Sequence, residues 1–307
     1  MSYIYEALLR AERERQSNPP SLEDQNVAPP PNEGISAYSP VENRVDPESI
    51  AQHEWNPFAP SFPTLAKHGR GLEQFRSLRS HIYQARNETP LKTILISSGM
   101  PAEGKSFVTA NLAMSLARNS SNQILLIDGD LRRPSLNQLL GAPNQVGLSD
   151  YLAGNAELHA VMQRCSDSNS HESSGISDLA NLTFIPTGTP HENASELITN
   201  QRIKELISRV SGSFDWILID SPPVLVFADA VDLARAVDAV LLVVRGAQTT
   251  YEVAQRAKSS FASSRVLGVV LNDIKNPPRR ESYYNYYYYG KQETATAPAT
   301  ITKQEVK

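Results

Sequence analysis

An octapeptide near the middle of the chain restricts the possible folds more than any other feature. Residues 99–106 read Gly-Met-Pro-Ala-Glu-Gly-Lys-Ser and fit the pattern G-x-x-x-x-G-K-[ST] of a phosphate-binding loop. The apolar run 91–96 before the loop predicts a buried strand, and residues 106–117 after it predict a helix. This order aims backbone N–H groups and a helix N-terminus at one point, where a polyphosphate can bind.

The residues of this loop have separate expected roles. We expect Lys105 to reach the β- and γ-phosphates and the Ser106 hydroxyl to coordinate Mg²⁺. The glycines are expected to let the backbone approach the phosphates, which a Cβ atom would block. The residues expected to line the site are Gly99, Met100, Pro101, Ala102, Glu103, Gly104, Lys105, Ser106 and Phe107.

Composition and charge exclude several classes of protein. The 307 residues carry a net charge of −4, which argues against nucleic acid as the main partner. The single cysteine, Cys165, excludes a disulfide framework and suits a reducing cytosol. The polar N-terminus is unlike a signal peptide, and the longest apolar run, 239–244, is too short to span a bilayer. We therefore expect a soluble cytoplasmic protein that reaches a membrane only through a partner or a surface helix.

The chain divides by composition into four predicted segments. Residues 1–15 predict a short amphipathic helix, which is too short to be stable alone. Residues 16–66 hold ten of the 21 prolines and predict a disordered linker. Residues 67–276 predict the folded domain, and residues 277–307 a flexible, tyrosine-rich tail.

Strands alternate with helices through the predicted domain. The predicted helices cover 72–85, 106–117, 195–208 and 255–260, and the predicted strands cover 91–96, 123–127, 182–185, 216–219, 239–244 and 266–271. The polar, serine-rich stretch 164–180 predicts a surface insertion. This alternation predicts an α/β fold, a parallel sheet with helices on both faces.

Carboxylates follow two of the predicted strands. Asp128 and Asp130 come directly after one apolar run, and Asp220 ends another. In open α/β sheets ligands bind at the carboxyl ends of the strands, so these groups are expected to face the nucleotide. Asp220 is the natural Walker B residue, placed to hold Mg²⁺ directly or through water. The alternative is that Asp220 is a helix N-cap or turn residue and that Asp130 is a turn residue, since Asp-Gly-Asp is itself turn chemistry.

Six tyrosines occupy seven positions near the C-terminus. They are Tyr283, Tyr284, Tyr286, Tyr287, Tyr288 and Tyr289. Their spacing follows neither period 2 nor period 3.6, so they are not expected to form part of a core. One interpretation is an aromatic segment that stacks on a partner. The other is a string of phosphate acceptors, each adding about −1.5 to −2 charges when modified.

Together these motifs resemble the bacterial tyrosine kinases of capsule and exopolysaccharide assembly. That family builds a protein kinase on a phosphate-loop scaffold related to the partition ATPases, and the resemblance covers about residues 70–290. The matching elements are the loop 98–106, the Walker A′ motif 124–132, the Walker B strand 217–220, the tyrosine cluster, the E-x-x-R-x-x-R element of Glu73, Arg76 and Arg79, and segments 147–154 and 269–273. Residues 1–8 resemble the start of stand-alone cytoplasmic members linked to exosortase clusters.

The resemblance implies a role for each residue. Lys105 and Ser106 would hold ATP and Mg²⁺, and Asp220 would support the metal. Asp128 and Asp130 would share metal support and activation of the incoming tyrosine hydroxyl, with Asp128 favoured as the base. The resemblance places Asn272 beside the adenine, although a strand-end asparagine is also typical of a turn. It implies that Glu73, Arg76 and Arg79 pair across subunits, the alternative being an ordinary helix face with i, i+3 charge pairs.

The implied activity is autophosphorylation of the tyrosine tail in trans, within a ring-like homo-oligomer. Its implied partners are a membrane polysaccharide co-polymerase, which activates it at the inner face of the plasma membrane, and a cognate tyrosine phosphatase. The alternatives are a switch ATPase and a regulatory docking module with vestigial catalysis. Two positions depart from related patterns: Met100 replaces the second lysine of partition-type ATPases, and residues 190–197 match the family's Pro-Asn-Pro loop only in part.

Overall fold

The computed structural model describes residues 45–66, 68–166, 179–190, 194–199 and 201–274. The strands in these ranges are β1 (Gln52–His53), β2 (Thr93–Ser98), β3 (Ile124–Asp128), β4 (Gln163–Cys165), β5 (Leu182–Ile185), β6 (Trp216–Asp220), β7 (Ala239–Arg245) and β8 (Val266–Asn272). The helices are α1 (Arg70–Glu88), α2 (Lys105–Ala117), α3 (Leu136–Leu140), α4 (Leu148–Ala153), α5 (Ala194–Thr199), α6 (Arg202–Val210), α7 (Asp229–Ala234) and α8 (Tyr251–Ser260). Short 3₁₀ helices lie at Pro47–Ser49, Ala59–Ser61, Pro63–Leu65 and Leu158–Val161.

The strands form one sheet in the order β1-β4-β5-β3-β6-β2-β7-β8. Strands β4 and β5 pair antiparallel, whereas the other neighbouring strands pair parallel. The central strands β3, β6, β2 and β7 are buried along nearly their whole length, as their continuous apolar runs predict for parallel strands covered on both faces. The predicted α/β fold is confirmed, and β4 makes the sheet mixed rather than purely parallel.

Successive strand residues enter two separate apolar layers. Ile94 and Ile96 pack with α1 and α2, whereas Leu95 between them packs with α4, α6 and α8 on the opposite side. This alternation follows from the two-residue period of a strand. Helices therefore cover both faces, and the carboxyl ends of the central strands are left as the place for a ligand site.

Two predicted elements differ in detail from the structure. The helix predicted over 195–208 is two helices, α5 and α6. Part of the predicted insertion 164–180 belongs to the sheet, because β4 pairs with β5 through Gln163 and Arg164. A three-residue polar strand is too short to show a period in the sequence.

The described part of the predicted linker, residues 45–66, packs on the domain and so differs from the prediction. Strand β1 pairs in parallel with β4 at the edge of the sheet. The Trp55 side chain is 0% exposed, packs edge-to-face on Phe184 with centroids 6.0 Å apart, and donates from Nε1 to Gln163 Oε1 at 3.1 Å. Phe62 is buried too. A few isolated aromatic side chains anchor this segment, so neither its composition nor any periodicity reveals it.

Residues 1–44 and 275–307 lie outside the described residues, and the predicted N-terminal helix, most of the predicted linker and the tyrosine tail fall there. The chain divides into a unit that ends at Asn272 and a second unit from Asp273 onward. Among the residues that the structure describes, no helix combines the length and apolar character that a membrane span requires.

Candidate active site

The phosphate loop, residues 99–104, connects β2 to α2. Helix α2 begins at Lys105, and 11 of its 13 residues are buried, so it is held firmly between the sheet and α1. The first N–H groups of a helix lack partners within it and carry the positive end of the helix dipole. The loop therefore ends at a rigid site suited to an anion.

The two motif glycines are required by protein neighbours as well as by the phosphates. Gly104 has φ +89°, and a Cβ atom there would lie 2.0 Å from Asn272 Nδ2. A Cβ atom on Gly99 would lie 3.2 Å from Ala257 Cβ of α8. Side chains at either position would therefore push the loop away from α8 or from the end of β8.

Three carboxylates converge at the carboxyl ends of two neighbouring strands. Asp128 ends β3 and Asp220 ends β6, and the two are direct partners in the parallel register. Asp130 follows two residues after Asp128, and all three side chains are almost completely buried. This register explains why separate sequence motifs supply one site.

Lys105 and Ser106 contact this carboxylate cluster from the start of α2. Lys105 Nζ lies 2.9 Å from Asp130 Oδ2 and 3.7 Å from Asp220 Oδ2. The Ser106 hydroxyl donates to Asp220 Oδ2 at 2.5 Å. The four groups expected from the sequence to bind phosphate and metal are thus placed together.

Burial and crowding change the proton affinities of these groups. Burial, reinforced by the charge of Asp220, raises the pKa of Asp128 to about 8. Burial also raises the pKa of Asp220, although Lys105 and the Ser106 hydroxyl oppose that shift. Burial alone would lower the pKa of Lys105, but Asp220 and Asp130 together outweigh it and raise that pKa above its ordinary value. Lys105 is therefore a cation, while Asp128 exchanges its proton near neutral pH.

Asp128 and Asp130 also organise the backbone, as the alternative interpretation of turn residues predicts. Asp128 Oδ2 accepts from the N–H groups of Ser135 and Leu136, at 3.2 and 3.1 Å, where α3 begins. Asp130 Oδ1 accepts from Arg133 N at 3.0 Å, while its Oδ2 faces Lys105. The turn role and the site role therefore coexist in the same side chains.

The donors present fit a magnesium ion. Ser106, Asp130 and Asp220 offer a hydroxyl and carboxylates, the hard oxygen ligands that Mg²⁺ prefers. Asp130 and Asp220 share the single cation Lys105, so a divalent cation would add positive charge beside these buried carboxylates. Over the described ranges, no group of three or more His, Cys, Asp or Glu side chains forms a metal site of its own. Mg²⁺ usually takes one or two carboxylates together with water and substrate phosphates, and Asp130 and Asp220 are the carboxylates that contact Lys105 and Ser106.

Other predicted residues lie at different distances from this cluster. Asn272 contacts the phosphate loop, since its Nδ2 donates to the Glu103 carbonyl at 3.0 Å. This hydrogen bond supports the loop independently of the predicted contact with adenine. The Phe107 side chain packs on Phe75 of α1, with centroids 5.9 Å apart. Met100 is 43% exposed.

The predicted assembly residues lie on α1, within the first ten residues of the helix. Arg76 Nη1 lies 2.6 Å from Glu73 Oε1, and both side chains are about half exposed. Arg79 instead donates to the Ser115 carbonyl of α2 at 2.5 Å. The i, i+3 charge pair of the alternative interpretation is present within one subunit, and Arg79 has a role within the domain.

Two contacts at the site escaped the sequence analysis. Thr109 Oγ1 lies 3.2 Å from Asp220 Oδ1. Thr109 follows Lys105 by one helical turn, so the i, i+4 rule would have placed it on the same face. Arg132 Nε lies 2.8 Å from Asp229 Oδ2 and the guanidinium stacks on Phe227 at 4.4 Å, a pairing between distant segments that no local pattern shows.

Comparisons with known proteins agree with this geometry. A family model described as ParA, NUBPL iron-transfer P-loop NTPase, matches residues 90–301. The tyrosine-protein kinase YwqD of Bacillus subtilis is 31% identical over 223 residues, which are 72% of this chain and 87% of YwqD. The kinase domain of the Escherichia coli tyrosine kinase ETK has a TM-score of 0.63 at 26% identity, covering 84% of this chain and 89% of that one.

One relative is much longer than the matched region. The tyrosine-protein kinase Wzc of Salmonella typhimurium is 34% identical over 223 residues, which are 72% of this chain but 29% of Wzc. The chain therefore spans less than a third of the length of that protein. The family model covers more than half of this chain, and the alignment with YwqD covers most of YwqD. The chain therefore belongs to the bacterial tyrosine kinases, a group of ParA-type P-loop NTPases.

Proposed function

We propose that this protein is an ATP-dependent protein-tyrosine kinase that phosphorylates its own C-terminal tyrosines in trans. The observation that carries the proposal is the convergence of Lys105 with Asp128, Asp130 and Asp220 at the N-terminus of α2. The phosphate loop supplies a nucleotide site, and the buried carboxylates supply both metal ligands and a proton acceptor. Membership of the tyrosine-kinase family favours a tyrosine hydroxyl over water as the acceptor.

Each side chain has a task in this proposal. Lys105 would bind the β- and γ-phosphates, and Ser106, Asp130 and Asp220 would hold Mg²⁺. The metal, when bound, would supply neutralisation of the phosphate charge. Positioning of the reactants and neutralisation of charge supply most of the rate acceleration in phosphoryl transfer, and the protein contributes little covalent chemistry.

Asp128 is the proposed base for the tyrosine hydroxyl. Its pKa of about 8 lies near the working pH, where a general base is most effective. Asp130 and Asp220 would serve the metal, and Asp220 also accepts from the Ser106 hydroxyl, so Asp128 is the carboxylate of the three that is left to act as base. The backbone N–H bonds to Asp128 hold its carboxylate in a fixed orientation.

The acceptors are proposed to be the tail tyrosines Tyr283 to Tyr289, which lie outside the described residues. Two of the three tyrosines in the described residues are poor acceptors: Tyr151 is buried, and the Tyr83 hydroxyl accepts from Asn122 at 2.6 Å. The third, Tyr251, is 79% exposed, so its phosphorylation can be compared with that of the tail tyrosines in the same sample.

We further propose that α1 contributes to a ring-like homo-oligomer through Glu73 and Arg76. The protein would act at the inner face of the plasma membrane with a polysaccharide co-polymerase, and a cognate phosphatase would reverse the modification. The same cycle would regulate polymerisation and export of a capsule or exopolysaccharide. Glu73 and Arg76 are about half exposed and so are accessible to a neighbouring subunit, and the resemblance to the capsule and exopolysaccharide kinases implies the other points.

Mass spectrometry of the full chain after incubation with Mg-ATP tests the function. We expect phosphate on the tail tyrosines, and we expect replacement of all six with Phe to remove most of it while leaving ATP binding intact. Label that persists in the six-Phe variant would move the acceptors elsewhere. ATP hydrolysis without any phosphotyrosine would favour the switch ATPase.

A further inference from the structure

A buried carboxylate lies inside the phosphate loop itself. The Glu103 side chain is 3% exposed, although its neighbours Pro101 and Ala102 are exposed. Its Oε2 accepts from Met100 N at 2.7 Å, and its Oε1 accepts from the hydroxyl of Thr249. A negative charge beside bound phosphates would weaken their binding. Glu103 is therefore not expected to bind the phosphates itself, and its hydrogen bonds connect parts of the protein.

The loop also has a strained backbone at the residue before Glu103. Ala102 has φ +62°, a left-handed conformation that non-glycine residues rarely adopt. Such a conformation persists only where the surroundings hold it, and it is typical of functional sites. Arg245 Nη1 donates to the Ala102 carbonyl at 3.3 Å, and Asn272 Nδ2 donates to the Glu103 carbonyl. The contacts that hold the loop in this shape thus come from the ends of β7 and β8.

The segment between β7 and α8 supplies a third support for the loop. Thr249 lies 146 residues after Glu103, between β7 and α8. Helix α8 packs closely on the loop, since Ala257 and Val253 are the nearest neighbours of a Cβ built on Gly99. Thr249 therefore joins the loop to an element that already contacts it.

We propose that Glu103 and Thr249 are positioning residues that lock the phosphate loop in its nucleotide-binding shape. The Glu103 carboxylate ties together the first and last parts of the loop and fixes both to the segment before α8. The lock sets nucleotide affinity without contacting the nucleotide through either side chain. This inference rests on nucleotide binding by the loop, a part of the proposed function, and not on the identity of the phosphate acceptor.

Substitutions can separate the charge of Glu103 from its hydrogen bonds. Glu103→Gln retains an oxygen that accepts from Met100 N and gains an amide that can donate to Thr249 Oγ1. It keeps both bonds and removes the opposing charge. Glu103→Ala removes both bonds. If the lock matters, the Gln variant binds Mg-ADP at least as tightly as the wild type, and the Ala variant binds more weakly.

Thr249 offers a milder test with a matched control. Thr249→Val keeps the shape and removes the hydroxyl, and Thr249→Ser restores it. Thr183→Val makes the same change on β5, where the buried Thr183 Oγ1 has no hydrogen-bond partner among the described residues. We expect Thr249→Val to raise the Kd for Mg-ADP about three- to tenfold, the effect of one hydrogen bond. The Ser variant and the Thr183 control should stay within about twofold of the wild type.

The Kd is measured by titrating a fluorescent ADP analogue with Mg²⁺ into the full chain. Thermal unfolding without nucleotide gives the midpoint of each variant, and steady-state assays give its KM and kcat for ATP. A higher Kd and KM at unchanged kcat and thermal midpoint supports the lock. An unchanged Kd in Thr249→Val, a Gln variant as weak as the Ala variant, or a fall in kcat alone overturns it. A wild type that binds Mg-ADP but makes no phosphotyrosine would refute the kinase and leave the lock standing.

Discussion

Lys105 Nζ forms its closest ion pair with Asp130 Oδ2, at 2.9 Å, and both side chains are nearly buried. The lysine that the motif assigns to the phosphates is therefore also the ion-pair partner of a buried carboxylate. The same pair links catalysis and stability, because removing the lysine leaves buried carboxylates without their cation.

Replacing Lys105 with Met tests this link. We expect phosphotyrosine to be lost and the free energy of unfolding at pH 7 to fall by about 3 kcal/mol, because Asp130 and Asp220 lose a buried partner. Urea unfolding and phosphotyrosine blotting measure the two effects. The loss of stability should shrink at pH 5, because burial raises the pKa of Asp220 and favours its neutral form as the pH falls. Undiminished phosphotyrosine would refute the assigned site.

The raised pKa of Asp128 predicts how stability depends on pH. The folded-state pKa of about 8 lies above the unfolded value near 3.9, so the folded protein binds the extra proton between these limits. The stability contributed by this group is complete below about pH 4 and is lost as the pH rises through about 8. We expect unfolding free energies of the wild type to fall between pH 5 and 8 more steeply than those of Asp128→Asn. Parallel curves for the two proteins would contradict the shift.

The same pKa predicts the activity profile. A base must be unprotonated to accept the hydroxyl proton, so kcat/KM should rise with pH and level off above about 8. The rise reports the free enzyme, before metal and nucleotide bind. Steady-state assays of tail phosphorylation between pH 6 and 9 provide the measurement. A profile that is flat across this range would remove Asp128 from the role of base.

Arg76 and Arg79 should behave differently although they lie one turn apart on α1. Arg79→Ala removes a hydrogen bond to Ser115 and should cost about 1–2 kcal/mol of stability. Arg76→Ala breaks an exposed pair with Glu73 and should cost less than about 0.5 kcal/mol. Arg76→Ala is thus the cleaner test of assembly. Light scattering should show a smaller particle for this variant, and an unchanged oligomer with unchanged trans-phosphorylation would remove Arg76 from the interface.

Trp55 should stabilise the domain although it lies in a proline-rich segment. Trp55→Ala removes a fully buried side chain and should lower the unfolding free energy by about 3–5 kcal/mol. Phe58→Ala is the control, because Phe58 is 60% exposed and its loss should change stability by less than about 0.5 kcal/mol. Equal denaturation midpoints for the two variants would show that residues 45–66 do not belong to the folded unit.

The sequence predicts the central sheet and the motif residues because their signals are local. Lys105 and Ser106 follow a contiguous pattern, and Asp220 ends a continuous apolar run. Trp55 could not be predicted, since one aromatic residue among prolines carries no period. The contact of Glu103 with Thr249 joins two loops, and loops have no repeating pattern from which a partner can be inferred. Thr109, by contrast, has a local signal, because its i, i+4 position relative to Lys105 places both side chains on one face of α2.

The position of strand β1 has a mechanical consequence. Strand β1 lies at one edge of the sheet, whereas the phosphate loop follows β2, five strands away in the sheet order. Tension applied to the chain before residue 45 would therefore first load the contacts of Pro47 and the buried Ile50, then the two-residue β1 pairing, and then the buried Trp55. That edge can yield while the strands around Asp128 and Asp220 keep their register. A pull from the N-terminal side would be absorbed before it reached the nucleotide.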